Sequence, residues 1–453
     1  MSGNLEKLNI MTTSDFKVIV VGGGPVGLIA AHALYKAGID FVVLEGNNTV
    51  AVDVGACLVL LPPGLRILHQ LGLLNELRGL ASEVILRHTF TRDGYRFKAC
   101  NVFDECKRNF GTRPLVFHRA ELVQSLYDQL PAETKPKVLL GKKVTDIQST
   151  ENIVKVFCDD GSQYEGSMVI GADGVHSRTR HIMRRLALET RPSARWDPET
   201  PFTTSYRCMW ASFKRPIAPG AAFETQSKDK SIMFVTGNER GWIFLYEKLP
   251  QPTTARTTYS EKDLEAMADR FADYPITDSL KVKDVLAERM TAGMSDLQEG
   301  TCNNWGWGRI ALVGDSIHKV CPNAGVGYQS GIQDVVSLVN NLRRLATSSG
   351  ASKNPSVSDL EAMYKTYQAE RWDDLAFDAS LSAHTARIQA WGNWWYYILG
   401  RFLTVPDFAD YIMTNMVQTP VWRKRLAFDF LDAEEPFTGR VTWLHPLKNI
   451  HSK

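Results

Sequence analysis

The chain of 453 residues lacks several signatures that would assign a function directly. Its first residues, MSGNLEKLNIMTTSD, contain no apolar core of a secretory signal peptide. Its ten histidines show neither an H-E-x-x-H motif nor another metal-ligand spacing, which argues against a metal site. The formal net charge is only +2, so the charge balance indicates no nucleic-acid or acidic partner.

Cysteine is scarce and irregularly spaced. The seven cysteines are odd in number and include no C-x-x-C pair. This pattern favours reduced thiols over a disulfide framework or a zinc site, and it predicts a reducing, cytoplasmic location. With 44% hydrophobic and 23% charged residues, the composition is that of an ordinary globular enzyme. The chain length predicts about two or three domains.

The segment Lys17–Glu45, KVIVVGGGPVGLIAAHALYKAGIDFVVLE, contains every part of a dinucleotide-binding βαβ unit. Val18–Val21 predict a buried parallel strand, Pro25–Lys36 a helix, and Phe41–Leu44 a second strand. Glu45 stands at the end of the second strand, where a carboxylate can accept hydrogen bonds from ribose hydroxyls.

Three glycines form the G-x-G-x-x-G turn between the first strand and the helix. Gly22 makes the tight turn, Gly24 lets the backbone approach a pyrophosphate, and Gly27 allows the helix to pack closely on the strand. The phosphates are expected at the helix N-terminus, where N–H groups favour negative charge. The motif alone leaves NAD and FAD as alternatives.

The pattern changes after residue 200. Residues 17 to about 190 alternate between strands and helices, whereas residues 201–250 contain strand-like runs rich in aromatic and β-branched residues. These runs predict an antiparallel sheet. Their bounds are Thr203–Phe213, Ser231–Thr236 and Trp242–Glu247. A buried strand returns at Arg309–Gly314, so we expect one sheet domain interrupted by a second, substrate-side sheet.

Two further segments place an acid at the end of a predicted strand. Val169–Arg180, VIGADGVHSRTR, contains Asp173-Gly174, and Arg309–Leu338 contains Gly314-Asp315 before a Pro/Gly-rich loop and a helix. An acid at a strand end can accept hydrogen bonds from a polyol, and the helix N-terminus can face an anionic ring edge.

In this order, the three motifs resemble those of the group A flavoprotein monooxygenases, the family of para-hydroxybenzoate hydroxylase. The resemblance covers roughly residues 15–345. The runs GACLVLLPPGLRILHQLG and GDSIHKVCPNAGVG resemble most the fungal branch of paxilline-type epoxidases, which oxidise indole diterpenes, meroterpenoids and prenylated indole alkaloids.

The resemblance implies FAD as the cofactor and NADPH or NADH as a transient reductant. By similarity, Glu45 holds the adenosine ribose and Val59 contacts the flavin through its backbone. Arg119 reaches the phosphate and ribityl region, Asp173 lies near the pyrophosphate and the nicotinamide approach, and Asp315 holds the ribityl chain. The full expected cofactor set is Gly22, Gly24, Gly27, Glu45, Val59, Arg119, Asp173, Asp315, Gly325 and Tyr328.

Two positions depart from the family pattern. The family usually has glycine where Val59 stands and Ala-Asn where Tyr328-Gln329 stand. The backbone of Gly325 to Tyr328 is expected to face the isoalloxazine, and a tyrosine there could alter the movement or redox behaviour of the flavin. The family chemistry implies transfer of one oxygen atom from a C4a-hydroperoxyflavin to an electron-rich carbon.

Two polar residues of the substrate-side sheet are candidate catalytic residues. Arg207 could orient a carbonyl or stabilise oxyanion charge, and Tyr246 could donate a hydrogen bond or a proton. Fungal relatives place an arginine and a tyrosine at corresponding positions. The alternatives are that Arg207 pairs with a carboxylate and that Tyr246 only packs.

The C-terminal hundred residues combine helical patterning over Leu360–Gln389 with the aromatic run Trp391–Leu403. That run is shorter than the roughly 20 residues that span a bilayer. A helical lid or dimer surface is one interpretation, and peripheral membrane contact is the alternative. The oligomeric state stays open.

The sequence therefore predicts an α/β protein with a Rossmann-type FAD-binding domain, an inserted antiparallel-sheet substrate domain and a C-terminal helical region. The expected ranges are 15–190 and 301–345 for the FAD-binding domain, 191–300 for the substrate domain and 346–453 for the helical region. The predicted function is epoxidation of an electron-rich double bond in an apolar prenylated indole or terpenoid by O2 and NAD(P)H. A phenol ortho-hydroxylase and a reductase without oxygen transfer are the alternatives.

Overall fold

The computed structural model describes residues 16–53, 55–347 and 354–447. The N-terminal segment 1–15, on which the signal-peptide interpretation rests, and parts of the range 346–453 lie outside the described residues. The strands are β1 (Lys17–Val21), β2 (Asp40–Leu44), β3 (Cys57–Leu60), β4 (Ser82–Glu83), β5 (Leu86–Thr91), β6 (Arg96–Cys100), β7 (Leu115–His118), β8 (Val138–Leu139), β9 (Val144–Ser149), β10 (Val154–Cys158), β11 (Gln163–Gly166), β12 (Met168–Gly171), β13 (Thr203–Lys214), β14 (Ala221–Ser227), β15 (Lys230–Thr236), β16 (Arg240–Thr253), β17 (Arg289–Thr301), β18 (Gly306–Trp307), β19 (Ile310–Leu312) and β20 (His318–Lys319).

The α-helices are α1 (Pro25–Ala37), α2 (Pro62–Gln70), α3 (Leu74–Leu80), α4 (Val102–Phe110), α5 (Arg119–Asp128), α6 (Arg178–Thr190), α7 (Glu261–Phe271), α8 (Val282–Leu286), α9 (Gly327–Thr347), α10 (Val357–Gln389), α11 (Trp394–Ile398), α12 (Asp407–Ile412) and α13 (Thr419–Trp422). Short 3₁₀ turns cover Lys135–Lys137, Gly314–Ser316 and Pro322–Ala324, and π-helical turns cover Leu399–Leu403 and Met413–Gln418.

The first sheet has the strand order β18-β19-β12-β1-β2-β8, with β19, β12, β1, β2 and β8 parallel. Its central strands are apolar and buried because they share one core with helices, among them α1 and α9, and with the three-stranded sheet β11-β10-β9. The carboxyl ends of β1, β12 and β19 therefore meet at one edge, each followed by a glycine-containing turn. This is the predicted α/β domain, and β19 is its predicted return strand.

The second sheet has eight strands in the order β20-β17-β13-β16-β15-β14-β5-β6. Its central part is antiparallel, as the sequence predicted. It also contains β14 and β17, which the strand-like runs did not include, and it takes β5 and β6 from within the range 15–190. Residues of β14 pair in parallel with β5, so the two predicted domains share a continuous sheet.

The two faces of the second sheet have different neighbours. Helices α7 and α8 cover one face with an apolar core that includes Phe271 and Val282. The other face looks toward the first sheet, and α10 runs alongside the sheet. Successive side chains along a strand point to opposite faces of the sheet. A side chain of the second sheet therefore packs either against α7 and α8 or toward the first sheet, depending on its position in the strand.

The tail after α13 returns to the first domain. The guanidinium of Arg66 on α2 contacts Glu435, 369 residues later in the chain, with Nε 2.8 Å from Oε2. Gln70 donates hydrogen bonds to the carbonyls of Phe428 and Leu431. No helix in the described part of the chain has both the length and the apolar character required to span a bilayer.

Candidate active site

A cavity of about 670 Å³ lies between the two sheets. Its loop half is lined by the turns after the first-sheet strands and by Arg119, and includes Gly24, Glu45, Asp173 and Asp315. Its sheet half is lined by strands of the second sheet and by α4, and includes Arg87, Phe103, Glu224, Met233, Phe244 and Tyr246. One continuous space therefore joins the strand-end turns to the face of the second sheet.

The glycine turn of the loop half leaves open space beside a helix N-terminus. Gly22 has a φ of +104°, and a Cβ on Gly27 would lie 1.9 Å from the carbonyl oxygen of Gly22. A Cβ on Gly24, by contrast, would meet nothing within 4 Å. Gly24 is the N-cap of α1 and Pro25 is its first residue, and among the described residues no side chain caps the N–H groups that follow.

Glu45 is fixed at the end of β2. Its Oε2 accepts a hydrogen bond from the Gly23 amide at 2.6 Å, and its Oε1 accepts from the amide of Asn47 at 2.8 Å. The carboxylate thus ties the glycine turn to the strand that follows α1. Gly22, Gly24 and Glu45 line the cavity, whereas Gly27 lies in the helix-strand contact beneath it.

Asp173 lies at the cavity wall and caps helix α6. Its Oδ1 accepts from the hydroxyl of Ser177 at 2.5 Å, and its Oδ2 accepts from the amide and hydroxyl of Thr179, each at 2.9 Å. These bonds hold the negative end of the side chain toward its own helix. The backbone of Asp173 and Gly174 is the part left to face a ligand.

Arg119 and Asp315 bring opposite charges to the loop half. Burial lowers the pKa of the Arg119 guanidinium, although Asp315 and Glu45 act in the opposite direction. Asp315 accepts a hydrogen bond from Nζ of Lys319, which also lines the cavity. The three residues form a mixed-charge part of the cavity wall.

A buried ion network supports the Asp315 turn. Asp334 Oδ2 accepts from the Gly314 amide at 2.9 Å and lies 2.6 Å from Nε2 of His318. Arg371 donates to Asp334 Oδ1 at 3.0 Å. Burial would raise the pKa of Asp334, but His318 and Arg371 lower it more. His318 therefore positions the turn and does not face the cavity.

Val59, Gly325 and Tyr328 lie where the two halves meet. A Cβ on Gly325, which has a φ of +67°, would lie 3.5 Å from Cβ of Val59. Tyr328 begins the buried part of α9, and burial raises the pKa of its phenol. All three residues line the cavity.

Tyr246 lies on the cavity face of β16. It is 2% exposed, and its hydroxyl lies 3.7 Å from the sulfur of Met233. Burial raises its pKa well above the ordinary value, so the phenol stays protonated at neutral pH. The hydroxyl donates to a weak acceptor, the Met233 sulfur, and a ligand oxygen would be a stronger acceptor for the same hydrogen.

Arg207 lies on the opposite face and does not line the cavity. It pairs across the strands with Glu247, to which its Nε donates at 2.9 Å, and Arg270 of α7 donates to the same carboxylate. Tyr246 is the residue before Glu247, so the two side chains point to opposite faces. The structure therefore does not support substrate contact by Arg207, and it shows the carboxylate pairing that the sequence left as an alternative.

The sequence did not identify the charged residues of the sheet half. Arg87 comes from β5 and Glu224 from β14, and neither segment carries a local motif. The two lie near each other only because β5 and β14 pair in parallel. The sequence of residues 221–227, AAFETQS, does not alternate between apolar and polar residues, so it offered no local signal for β14.

Comparison with known proteins agrees with this arrangement. Residues 15–371 match the family described as FAD binding domain. The FAD-dependent monooxygenase olcE of Penicillium canescens is 33% identical over 429 residues, covering 93% of this chain and 90% of that protein. The FAD-dependent monooxygenase ausM of Penicillium brasilianum is 31% identical over 408 residues, covering 88% and 84%.

Solved structures share the fold. HpxO of Klebsiella pneumoniae, complexed with FAD and uric acid, has a TM-score of 0.71 at 22% identity and covers 91% of this chain and 99% of that chain. A salicylate hydroxylase substrate complex has a TM-score of 0.65 at 16% identity, covering 90% and 98%.

The residues of the loop half fit a flavin dinucleotide. The open space at Gly24 lies at the N-terminus of α1, where no side chain of the described residues caps the N–H groups, which suits an approaching pyrophosphate. The cavity continues from there past Val59 and Gly325 to the second sheet. The chain therefore belongs to the FAD-binding-domain family, and it is an FAD-dependent monooxygenase.

Proposed function

We propose that this enzyme epoxidises an electron-rich carbon–carbon double bond in an apolar small molecule, with an indole 2,3-bond or a prenyl alkene as the target. The reaction consumes alkene, O2, NAD(P)H and a proton, and it yields epoxide, water and NAD(P)⁺. The observation that carries the proposal is the sheet half of the cavity, which is apolar except for Arg87, Glu224 and the Tyr246 hydroxyl and continues directly from the loop half that suits FAD.

The loop half supplies the proposed cofactor contacts. The N-terminus of α1 and the backbone at Gly24 would hold the pyrophosphate, and Glu45 the adenosine ribose. Arg119 and Asp315 would bind the phosphate and ribityl region, and the backbone at Gly325 the ring edge. Bound FAD supplies reduction by a nicotinamide and activation of oxygen.

The protein's own tasks are orientation and exclusion of water. Met233, Phe244 and Phe103 offer apolar surface that favours a terpenoid or prenylated indole over water. The phenol of Tyr246, neutral at working pH, would donate a hydrogen bond to the oxygen that develops charge during transfer or epoxide opening. Such a substrate belongs to the kind of fungal metabolite that the resemblance implied.

We also propose that the enzyme is cytoplasmic and makes peripheral contact with membrane surfaces. Its cysteines in the described residues are free thiols, which suits a reducing compartment. Exposed apolar residues gather in the C-terminal helices, with Trp394 at 72%, Phe408 at 64% and Met416 at 67% exposure. Flotation with liposomes tests the contact: Trp394→Ser combined with Phe408→Ser should abolish the recovery of protein in the floating liposome fraction, and unchanged recovery there would contradict it.

Incubation with NADPH and ¹⁸O2 tests the reaction. The panel should contain prenylated indoles, terpenoid alkenes and simple phenols. One labelled oxygen atom in an epoxide or its opened product supports the proposal. Efficient ortho-hydroxylation of phenols alone would move the assignment to a phenol hydroxylase, and NADPH consumption without labelled product would contradict oxygen transfer to these substrates.

A further inference from the structure

Arg87 presents an unpartnered donor to the sheet half of the cavity. Its Nη2 lies 3.0 Å from the Cys100 sulfur, and its guanidinium carbon lies 5.8 Å from the ring centroid of Phe103. Within the described part of the chain, the bond from Nη2 to Cys100 is the one hydrogen bond of this guanidinium to a protein group, and its Nε is buried without a partner, so Nη1 is free to donate to a ligand. A guanidinium has donors in a fixed planar fork, so the position of Nη1 is set once Nη2 is bound.

Glu224 lies near Arg87 but does not bind it. Its Oε1 accepts from the side-chain amide of Gln226 at 2.5 Å, and its Oε2 accepts from that of Gln389 at 2.8 Å. Gln389 in turn accepts from the amide of Asn323 at 2.6 Å. The carboxylate is thus held in place by neutral donors, and Nη1 of Arg87 remains available to a ligand.

The charges around Arg87 are already balanced. Among the described residues that line the sheet half, Arg87 and Glu224 are the charged ones. Burial disfavours the charged form of Arg87, but Cys100, Glu224 and Asp410 more than offset this, and the net effect raises its pKa. Asp410 is itself paired with Lys98 at 2.6 Å. The guanidinium is therefore permanently charged in surroundings that are neutral overall.

This balance decides which ligand group the site can accept. A carboxylate would gain a bond to Arg87 but would add a second negative charge beside buried Glu224, and like charges repel strongly where water is excluded. A carbonyl or hydroxyl oxygen would accept the same hydrogen bond without adding charge. The site therefore suits an uncharged oxygen on an otherwise apolar molecule.

We propose that Arg87 and Glu224 form a polar subsite that holds a neutral carbonyl or hydroxyl oxygen of the substrate and rejects carboxylates. Arg87 donates the hydrogen bond to this oxygen through Nη1. The negative charge of Glu224 disfavours a carboxylate at the same place. This subsite rests on the proposed function, because it takes the sheet half as the place of an apolar substrate.

Binding of three sesquiterpene probes to the oxidised FAD enzyme tests the subsite. Farnesene, farnesal and farnesoic acid share a carbon skeleton and differ at the polar end, and equilibrium dialysis measures their Kd values without turnover. We expect farnesal to bind about tenfold more tightly than farnesene, the effect of one hydrogen bond from a charged donor. Farnesoic acid, ionised at neutral pH, should bind more weakly than farnesal.

Two variants separate the two roles. The charge-balanced pair Arg87→Met with Glu224→Gln should weaken farnesal binding about tenfold, to the level of farnesene. Glu224→Gln alone should strengthen binding of farnesoic acid by about tenfold, so that the acid overtakes the aldehyde. Arg207→Met is the matched control, because it removes an arginine from the other face of the same sheet and should change none of the three Kd values. The FAD content of each variant checks its folding.

Equal Kd values for the three probes in the wild-type enzyme overturn the subsite, as does failure of all three to bind. Unchanged ratios in the two variants also overturn it. The ¹⁸O2 experiment judges oxygen transfer separately, since binding to oxidised enzyme needs neither reductant nor oxygen. If the enzyme transfers labelled oxygen but binds the three probes with equal Kd values, the subsite alone is rejected. If the Kd values follow the expected order but no labelled oxygen is transferred, the proposed reaction alone is rejected.

Discussion

The two halves of the cavity are built in different ways. The loop half presents backbone N–H groups and acids that directly follow strands, within turns of a few residues around Gly24, Asp173 and Asp315. The sheet half presents side chains from separate segments, such as Arg87 and Glu224, which lie more than one hundred residues apart. A shared cofactor can be recognised by backbone geometry that many sequences provide, whereas a substrate is recognised by side chains that can differ between relatives.

Substitution of Gly24 tests the loop half most severely. Gly24→Val should leave the fold intact, because a Cβ there meets nothing within 4 Å, but should place a side chain in the space proposed for the pyrophosphate. We expect FAD content to fall more than tenfold, the effect of losing about 2 kcal/mol or more of phosphate contacts. Absorbance of the purified protein at the flavin band measures it.

Gly79→Val is the matched control for this substitution. A Cβ on Gly79 also meets nothing within 4 Å, but Gly79 lies in α3 away from the cavity. It should retain full FAD. Normal FAD content in Gly24→Val would reject the pyrophosphate assignment.

Removal of the Asp315 carboxylate should have a smaller effect on the same half. Asp315→Ala loses one proposed ribityl acceptor, so we expect FAD to dissociate with a Kd about tenfold higher. Asp315→Asn keeps an acceptor oxygen and should recover part of the affinity. Titration of apoprotein with FAD measures both, and equal affinity in wild type and Asp315→Ala would contradict the contact.

Tyr246→Phe tests the hydrogen bond that we propose for the sheet half. We expect normal FAD content but about fivefold less product per NADPH consumed, since one hydrogen bond of roughly 1 kcal/mol is lost. The unused reducing equivalents should appear as hydrogen peroxide. Because the pKa of Tyr246 lies well above 10.0, the defect should not change between pH 6 and 9. Unchanged coupling would return Tyr246 to a packing role.

Arg207→Met should have the smallest effect and only on stability. The pair with Glu247 is partly exposed, with Arg207 at 31% and Glu247 at 12%, so we expect a loss of about 1 kcal/mol in the free energy of unfolding. FAD content and product per NADPH should match wild type. A coupling defect as large as that of Tyr246→Phe would instead restore a catalytic role for Arg207.

The same ion pair gives stability a pH dependence. Burial would raise the pKa of Glu247, but hydrogen bonds from Arg207 and Arg270 lower it below the ordinary 4.5. A lowered folded-state pKa stabilises the protein fully above 4.5, and this contribution is lost as the pH falls through the lowered value. The stability difference between wild type and Glu247→Gln should therefore be constant at neutral pH and shrink in acid. Urea titrations at several pH values measure it.

The secondary structure of the loop half could be predicted from the sequence because each of its turns is formed by residues that are close together in the chain. The strand, turn and helix of Lys17–Glu45 follow one another, and the glycine spacing defines the turn. The helix of α10 begins at Val357, three residues before the predicted start at Leu360, because Ser356 caps it. Hydrogen bonds between residues close in sequence thus account both for the correct prediction of the Lys17–Glu45 unit and for the earlier start of α10.

The sheet half could not be predicted in the same way. Arg207 and Tyr246 lie on neighbouring strands, yet antiparallel pairing sets Arg207 opposite Glu247 and Tyr246 opposite Cys208. A one-residue difference in register reverses the face of every side chain. Glu224 and Arg87 meet through pairing of β14 with β5, which depends on the packing of the whole molecule and leaves no local pattern.

The contact between α2 and the tail has a consequence for synthesis on the ribosome. The guanidinium of Arg66, buried in the finished protein, reaches its partner Glu435 only after 369 further residues have been added. At typical elongation rates, this takes about 20 to 70 s. The part of the first domain that packs against the tail stays exposed during that interval, so the domain that is synthesised first is the last to be completed.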